Sequence, residues 1–137
     1  MASYISNSAA ETEDLGRRFA QEIESGSILA LTGDLGAGKT QFVKGLVAGL
    51  GSSATVTSPT FTIVHEYPGG RLSVYHFDFF RLEDRRSIAP LGLDDYFFGN
   101  GISVVEWADK FPEIIPEPAR WISFETKSES TRAIIAK

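Results

Sequence analysis

The chain has no cysteine and comparatively little positive charge. Without cysteine, neither a disulfide framework nor a thiolate-ligated metal site can form. Its 13 Lys and Arg residues stand against 18 Asp and Glu residues, which gives a formal net charge of −5. This sign disfavours a domain whose main task is to grip nucleic acid, because such domains neutralise phosphates with cationic side chains. Direct RNA binding is therefore a minority interpretation.

Long hydrophobic runs are also missing. No apolar stretch approaches the ~20 residues of a membrane-spanning helix, and the opening segment MASYISNSAAETEDL lacks the basic and apolar parts of a signal peptide. We therefore expect a soluble, cytoplasmic protein without membrane contact. The 137 residues suffice for one core, and neither a repeat nor a linker divides them. A single domain over 1–137 is predicted.

One stretch carries a specific chemical pattern, GDLGAGKT at residues 33–40. It matches G-x-x-x-x-G-K-[ST], the phosphate-binding loop of nucleotide hydrolases and of many small kinases. The glycines allow the backbone to turn successive N–H groups toward phosphate oxygens. Lys39 adds a positive charge, and Thr40 offers a hydroxyl to Mg²⁺ at the positive end of a helix. The pattern predicts that the chain binds a nucleoside triphosphate. Residues 33–40 are called the phosphate loop below.

Hydrophobic periodicity places the phosphate loop between a strand and a helix. A capping box at Ser8 begins a helix predicted over 9–24, an apolar strand over 28–32 leads into the loop, and residues 40–50 form a second amphipathic helix. Later segments are extended or irregular: strands are predicted over 61–67, 72–79, 102–106, 119–125 and 131–136, with short helices and loop over 83–98. We predict an α/β fold, one P-loop NTPase-like domain. Helices flank its mixed central sheet, which has a parallel core and antiparallel hairpins.

Two acidic residues end predicted strands. Asp78 follows VYHF, and Glu106 follows ISVV. Hydrolysis needs an acid linked to Mg²⁺ and a group that orients the attacking water. Asp is the commoner indirect magnesium ligand, whereas the longer Glu suits polarising a water, so we assign Asp78 to magnesium and Glu106 to the water. For either acid alone, a solvated strand end is the alternative.

The segment TSPTF at 57–61 lies between the phosphate loop and these acids. Pro59 disfavours helical geometry at Ser58, so the segment is extended and rich in hydroxyls. Such a segment can reach the γ-phosphate and Mg²⁺ as a switch, and it can equally be an ordinary strand entry.

Three aromatic side chains near the acids have open roles. Trp107 can stack on a base or fill the core. His76 shares a strand face with Asp78, which suggests that it orients this carboxylate, and a structural role is favoured for His65.

Four segments, in this order, resemble the TsaE family: GDLGAGKTQF, SPTFTIVHEY, YHFDFFRL and VVEWADKFPEIIP. Its members are small bacterial ATPases required for threonylcarbamoyladenosine formation on tRNA. The resemblance runs from about Glu11 to the final predicted hairpin. It implies a switch role for Thr60, magnesium-linked work for Asp78, an essential acid at Glu106 and a base contact for Trp107.

The resemblance and the loop pattern together define the predicted site. The nucleotide contacts are Gly33, Asp34, Leu35, Gly36, Ala37, Gly38, Lys39, Thr40, Gln41 and Trp107. The magnesium-linked groups are Thr40, Thr60, Asp78 and Glu106, and the catalytic residues are Lys39 and Glu106. The implied cofactors are ATP and Mg²⁺. One departure is that family members often have Tyr at the position of Phe80, which cannot supply a hydroxyl.

The resemblance also implies protein partners. TsaD transfers the threonylcarbamoyl group to adenosine 37 of tRNA, and the small ATPase binds the TsaB–TsaD pair. Its hydrolysis is expected to reset that assembly between cycles, to be slow alone and to depend on the partners. The tRNA would be held mainly by TsaB and TsaD, which agrees with the acidic charge balance.

Other functions share the loop. A small-molecule P-loop kinase is the main alternative, with RLEDRR at 81–86 as an arginine-rich lid, but little sequence is left for an acceptor-binding insertion. A guanine-specific switch protein usually shows N/T-K-x-D, and the nearest segment is TKSE at 126–129, whose acid is Glu instead of Asp. We place that segment at the tip of the terminal hairpin rather than beside the nucleotide. A pure binding module with a structural nucleotide is the third alternative.

Overall fold

The computed structural model describes residues 2–34, 36–56, 64–80, 82, 84, 86 and 88–137. The predictions for Leu35, for Thr60 and the segment around it, and for Arg81 and Arg85 of the lid lie outside the described residues.

Seven strands and three α-helices are found within the described residues. In chain order they are β1 (Ala2–Ser6), α1 (Ala9–Glu22), β2 (Ile28–Gly33), α2 (Lys39–Gly49), β3 (Val64–Tyr67), β4 (Val74–Asp78), α3 (Leu93–Phe97), β5 (Ile102–Glu106), β6 (Arg120–Thr126) and β7 (Arg132–Ala136). Short 3₁₀ turns occupy Ala89–Leu91, Ala108–Lys110 and Pro112–Ile114. None of the helices in this part of the chain is long and apolar enough to cross a membrane.

All seven strands belong to one sheet with the order β1-β7-β6-β2-β5-β4-β3. The pairs β6–β2, β2–β5 and β5–β4 are parallel, whereas β1–β7, β7–β6 and β3–β4 are antiparallel. The predicted mixed sheet, with a parallel core and antiparallel hairpins, is therefore confirmed. Because β2, β4, β5 and β6 run in the same direction, their carboxyl ends meet at one edge of the sheet.

No sequence pattern predicts β1. It pairs antiparallel with β7 from Ala2 opposite Ala136 to Ser6 opposite Arg132. Its segment, ASYIS, has no apolar run, and its Ile5 is 63 % exposed. The segment is extended because its backbone pairs with β7 at the edge of the sheet. This tertiary contact outweighs the low β-propensity of the segment itself.

The Ser8 cap predicted at the start of α1 is confirmed, whereas the Glu11 carboxylate bonds the N–H of Asn7, one residue before the position that a capping box requires. The Glu11 N–H donates to the Ser8 hydroxyl at 3.1 Å, and the Asn7 N–H donates to the Glu11 carboxylate at 3.3 Å. The helix ends at Glu22 rather than at the predicted residue 24, because Ile23 has extended backbone angles.

The sheet is covered on both faces. On one face lie α1 and α2, where the Phe19, Phe42 and Phe124 rings meet edge to face at centroid distances of 5.1 and 5.6 Å. On the other face lies α3, where Phe77 and Phe97 belong to a second apolar cluster. The edge at the carboxyl ends of the parallel strands is left for polar side chains.

Helices α1 and α2 touch through their backbones at two glycines. A Cβ at Gly45 would overlap the Glu13 carbonyl oxygen, and one at Gly16 would overlap the Phe42 carbonyl oxygen. We expect Gly45→Ala to lower the free energy of unfolding by about 1–3 kcal/mol, the usual range for overpacking. The direction of the change in unfolding free energy distinguishes the two cases, because Gly→Ala within a helix otherwise stabilises by about 1 kcal/mol.

Urea unfolding of Gly45→Ala measures this effect. Ala48→Ser is the matched control, since Ala48 is exposed on the same helix, and its change should stay within about 0.5 kcal/mol. A Gly45→Ala variant as stable as the parent would contradict the close helix contact.

Candidate functional site

The phosphate loop connects β2 to α2 and depends on three glycines with positive φ. These are Gly33 at 140°, Gly36 at 79° and Gly38 at 103°, values that residues with a Cβ rarely adopt. At Gly33 an added Cβ would also lie 2.5 Å from the Phe124 carbonyl oxygen. Because Gly38, the N-cap residue of α2, has no side chain to bond the first N–H groups, the backbone donors of the helix are directed at this loop.

Lys39 is the first residue of α2, and its side chain is almost fully buried. Its Nζ donates to the Gly33 carbonyl oxygen at 2.5 Å and lies 3.6 Å from the centroid of the Trp107 ring. Burial lowers the pKa of the Lys39 ammonium, and the nearest carboxylates act in the opposite direction; these are Glu106, Asp78, Asp109 and Asp34. The ammonium therefore lies between the loop, an aromatic face and a ring of acids. Thr40 and Gln41 follow in the first turn of α2.

The two predicted acids lie side by side. Asp78 and Glu106 are the last residues of β4 and β5 and are directly paired in the parallel register. Glu106 is also paired with Leu31 of β2, the strand that leads into the phosphate loop. Parallel strand ends meeting at one edge thus bring together Asp78, Glu106 and Lys39, as their positions after apolar runs predict.

The two carboxylates have different surroundings. Burial raises the pKa of Asp78, the neighbouring Glu106 raises it further, and a 2.8 Å hydrogen bond from the Phe80 N–H opposes the shift. Glu106 is only 4 % exposed and is bonded to His76. Asp78 is therefore the more accessible acid, and Glu106 the more constrained one.

His76 contacts Glu106 rather than Asp78, so the predicted orientation of Asp78 by His76 is wrong. Its Nε2 lies 2.5 Å from Glu106 Oε2, and its Nδ1 lies 3.1 Å from the Tyr67 hydroxyl. Both ring nitrogens are thus engaged by side chains of the neighbouring strands. His76 meets Glu106 and Tyr67 because β4 lies between β5 and β3 in the sheet. The VYHFD segment alone does not reveal this strand order.

Trp107 directly follows β5 and has the left-handed backbone conformation, with φ 58° and ψ 36°. Among the described residues, it is the only non-glycine residue with a positive φ. Its ring is 4.8 Å from that of Phe80 and covers Lys39 Nζ. Phe80, at the position where TsaE members often have Tyr, is half-exposed and packs on Trp107. Trp107 is therefore part of the site wall, and its contact with a base stays a prediction.

A cleft of about 520 Å³ opens beside the phosphate loop, within the usual size of ligand sites. It extends across the ends of β2, β5 and β6. Its lining residues are Thr32, Gly33, Asp34, Trp107, Asp109, Ser123, Phe124, Glu125, Thr126 and Lys127. Residues 123–127 were not among the predicted contacts, because the adjacency of β6 and β2 is a property of the sheet order.

The β6–β7 hairpin reaches the phosphate loop through Arg132, the first residue of β7. Arg132 connects the two: its Nη2 donates to the Gly36 carbonyl oxygen at 3.0 Å, and its Nη1 donates to the Ser128 carbonyl oxygen at 2.9 Å. Thr126 and Lys127 of the TKSE segment line the cleft. No local signal in the sequence identifies Arg132, since its acceptor is 96 positions away along the chain.

Comparisons with known proteins identify the family of this chain. A family model described as "Threonylcarbamoyl adenosine biosynthesis protein TsaE" matches residues 6–134. Two similar proteins are called "tRNA threonylcarbamoyladenosine biosynthesis protein TsaE". The one from Bacillus subtilis (strain 168) is 44 % identical and covers 90 % of this chain and 77 % of its own. The one from Treponema pallidum (strain Nichols) is 38 % identical and covers 95 % of this chain and 96 % of its own.

A solved structure shows the same fold. The crystal structure of YdiB from Bacillus subtilis matches with a TM-score of 0.81 at 36 % sequence identity, covering 97 % of this chain and 82 % of that one. The family match spans the phosphate loop, both acids and the terminal hairpin. The chain belongs to the TsaE family.

Proposed function

We propose that this protein binds and hydrolyses ATP with Mg²⁺, and that it serves tRNA N6-threonylcarbamoyladenosine formation by resetting a TsaB–TsaD complex between cycles. The observation that supports this most directly is the meeting of Lys39, Asp78 and Glu106 at one edge of the sheet. Membership of the TsaE family connects that chemistry to tRNA modification.

The phosphate loop is suited to a triphosphate. A Cβ at Gly36 would meet no atom within 4 Å, so its positive φ, rather than crowding, favours glycine there. The helix N-terminus and the Lys39 ammonium both favour negative charge at this loop. Since phosphate oxygens are stronger acceptors than a neutral carbonyl, a bound triphosphate would compete well for the proton donors of Lys39 that now face Gly33.

The donor set at the same edge fits Mg²⁺. The described residues contain no group of three or more His, Cys, Asp and Glu side chains that could hold a metal by themselves. Mg²⁺ is usually held by one or two carboxylates together with substrate phosphates and water, and oxygen ligands are its preference. Thr40 and Asp78 would hold the ion, which would neutralise phosphate charge when bound. Thr60 is the further ligand proposed from sequence.

Glu106 is the group that we assign to the attacking water. Its strand end lies next to that of β2, and its burial gives its carboxylate a restricted position. A positioned carboxylate that accepts a proton from water contributes about 10²–10⁴ in rate. Binding and hydrolysis thus depend on different side chains, Lys39 and Glu106.

The contacts of Arg132 support the expected dependence on partners. The Arg132 guanidinium reaches the loop but is occupied with the carbonyl oxygens of Gly36, Ser128, Glu129 and Thr131. Hydrolases without a cation on the developing charge gain about 10³–10⁵ in rate when an Arg is supplied by another protein. We therefore expect slow turnover alone and faster turnover with TsaB and TsaD.

Reconstitution tests the proposal. TsaB, TsaD, the threonylcarbamoyl donor, tRNA and ATP would be combined with and without this chain, and modified tRNA per TsaD would be followed over time. We expect multiple rounds with the chain and about one round without it, since resetting is its proposed task. Protein with Lys39→Ala is the matched control and should behave like omission. Unchanged multiple-turnover modification on omission would reject the proposed function.

Guanine recognition is a second candidate, favoured by the position of 126–129 beside the cleft. The TKSE segment carries Glu129 where guanine-binding motifs usually have Asp, and Lys127 is paired with Glu125 at 2.9 Å. Dissociation constants for ATP and GTP, measured side by side, separate the two candidates. Release of inorganic phosphate without a phosphorylated acceptor separates an ATPase from a small-molecule kinase.

A further inference from the structure

We propose that His76 and Tyr67 are positioning residues that hold the Glu106 carboxylate for water activation. The proposal rests on the ATP hydrolysis proposed above and names the groups that hold one carboxylate oxygen of Glu106 in place. Neither residue belongs to the predicted set of nucleotide, metal and catalytic residues.

The three side chains form a continuous chain of hydrogen bonds. Glu106 Oε2 lies 2.5 Å from His76 Nε2, and His76 Nδ1 lies 3.1 Å from the Tyr67 hydroxyl. An ionised carboxylate can only accept, so Nε2–H is the donor toward Glu106. In that tautomer Nδ1 accepts from the Tyr67 O–H, a hydroxyl that also lies 3.4 Å from His65 Nδ1. One tautomer satisfies both bonds.

The chain of bonds lies in the interior. His76 is 0 % exposed and Tyr67 is 3 % exposed, so water does not compete for these contacts. A buried imidazole with both nitrogens paired has a fixed ring plane, in the way that metal-bound and catalytic His residues are fixed by a second partner. The fixed ring in turn restricts the flexible Glu106 side chain.

Strand order produces the arrangement. Tyr67 lies on β3, His76 on β4 and Glu106 on β5, and these strands are neighbours in the sheet. His76 is directly paired with Val104, so Glu106 is the next residue on the same face of β5. Each hydrogen bond therefore crosses from one strand to the next. The order of the three strands therefore sets the orientation of the Glu106 side chain.

Among the described residues, His76 is the only hydrogen-bond donor to Glu106. That bond uses Oε2, so the carboxylate can meet water only in an orientation that keeps Oε2 on the imidazole. A displacement of about 1 Å in a catalytic group can cost about 10² in rate. Loss of His76 should therefore change the rate of the chemical step and leave nucleotide affinity nearly intact.

Four variants test the proposal in the full-length chain with TsaB and TsaD present. His76→Leu removes both hydrogen bonds at similar volume, whereas His76→Gln keeps an N–H donor near the Nε2 position. Tyr67→Phe removes only the hydroxyl. Tyr4→Phe is the matched control, because it removes a hydroxyl from β1, at the opposite edge of the sheet from β3. His65 is unsuitable as a control, since its Nδ1 lies 3.4 Å from the same Tyr67 hydroxyl.

The readouts are kcat for ATP hydrolysis and Kd for ATP. We expect His76→Leu to lower kcat about 10- to 100-fold with Kd changed less than about threefold. His76→Gln should recover most of the loss, Tyr67→Phe should show a smaller loss, and Tyr4→Phe should match the parent.

Several outcomes overturn the inference. Equal kcat in His76→Leu and the parent would do so, as would a loss in His76→Gln as large as that in His76→Leu. If His76→Leu does not fold, the other two variants decide. A kcat near the parent in His76→Gln together with a measurable loss of kcat in Tyr67→Phe supports the role. Any other combination of these two results rejects it. Absence of hydrolysis by the parent chain with its partners would instead reject the proposed function.

Discussion

Lys39→Ala is expected to weaken ATP binding strongly, with Kd raised about tenfold to hundredfold or more. The ammonium is the one cation that the structure places at the centre of the described loop, 2.5 Å from the Gly33 carbonyl oxygen. Hydrogen bonds to a charged group contribute about 1.5–3 kcal/mol, which corresponds to about tenfold to hundredfold in affinity. Four carboxylates surround the ammonium, and without its charge they would repel the triphosphate as well.

Titration calorimetry with ATP measures the effect. Lys44→Ala is the matched control, because Lys44 belongs to the same helix and contacts neither Gly33 nor Trp107 in the described structure. Its Kd should equal that of the parent. Circular dichroism would establish that Lys39→Ala is folded. Parent-like affinity in folded Lys39→Ala would show that the triphosphate does not meet this loop.

Glu106→Gln and Glu106→Ala are expected to keep ATP binding and to lower hydrolysis about 10²- to 10⁴-fold. The Gln variant is the sharper test, since its amide oxygen can still accept from His76 Nε2 while the charge and basicity are gone. Because Lys39 and the loop glycines are untouched, Kd for ATP should change little. In the reconstituted system, these variants should permit a first round of modification and block later ones.

A phosphate-release assay with TsaB and TsaD measures the rate. Glu117→Ala is the control, an exposed acid in the segment before β6. Retained turnover in Glu106→Gln would overturn the water-orienting role while leaving ATP binding in place. Lost binding in Glu106→Gln would mean that this acid holds the nucleotide or its ion rather than water.

Local patterns were sufficient for some parts of the site. The phosphate loop could be predicted because its glycine spacing and its strand–loop–helix context are contiguous in sequence. Asp78 and Glu106 could be predicted because each ends an apolar run, and parallel strands bring such ends to one edge. The mixed sheet follows from the two hairpin patterns that surround the parallel core.

Other parts depend on which strands become neighbours. The bond from His76 to Glu106 requires β4 beside β5, and the contact of Arg132 with Gly36 requires β6 beside β2. Periodicity does not contain this information. The strand β1 was missed for the same reason, because pairing with β7 rather than its own composition makes Ala2–Ser6 extended.

The glycine contacts between α1 and α2 have a mechanical consequence. Side chains between helices can change rotamer and let the helices slide, but backbone against backbone leaves nothing to repack at Gly16 and Gly45. We therefore expect the two helices to shift together, so that the first turn of α2, with Lys39, keeps its place relative to α1.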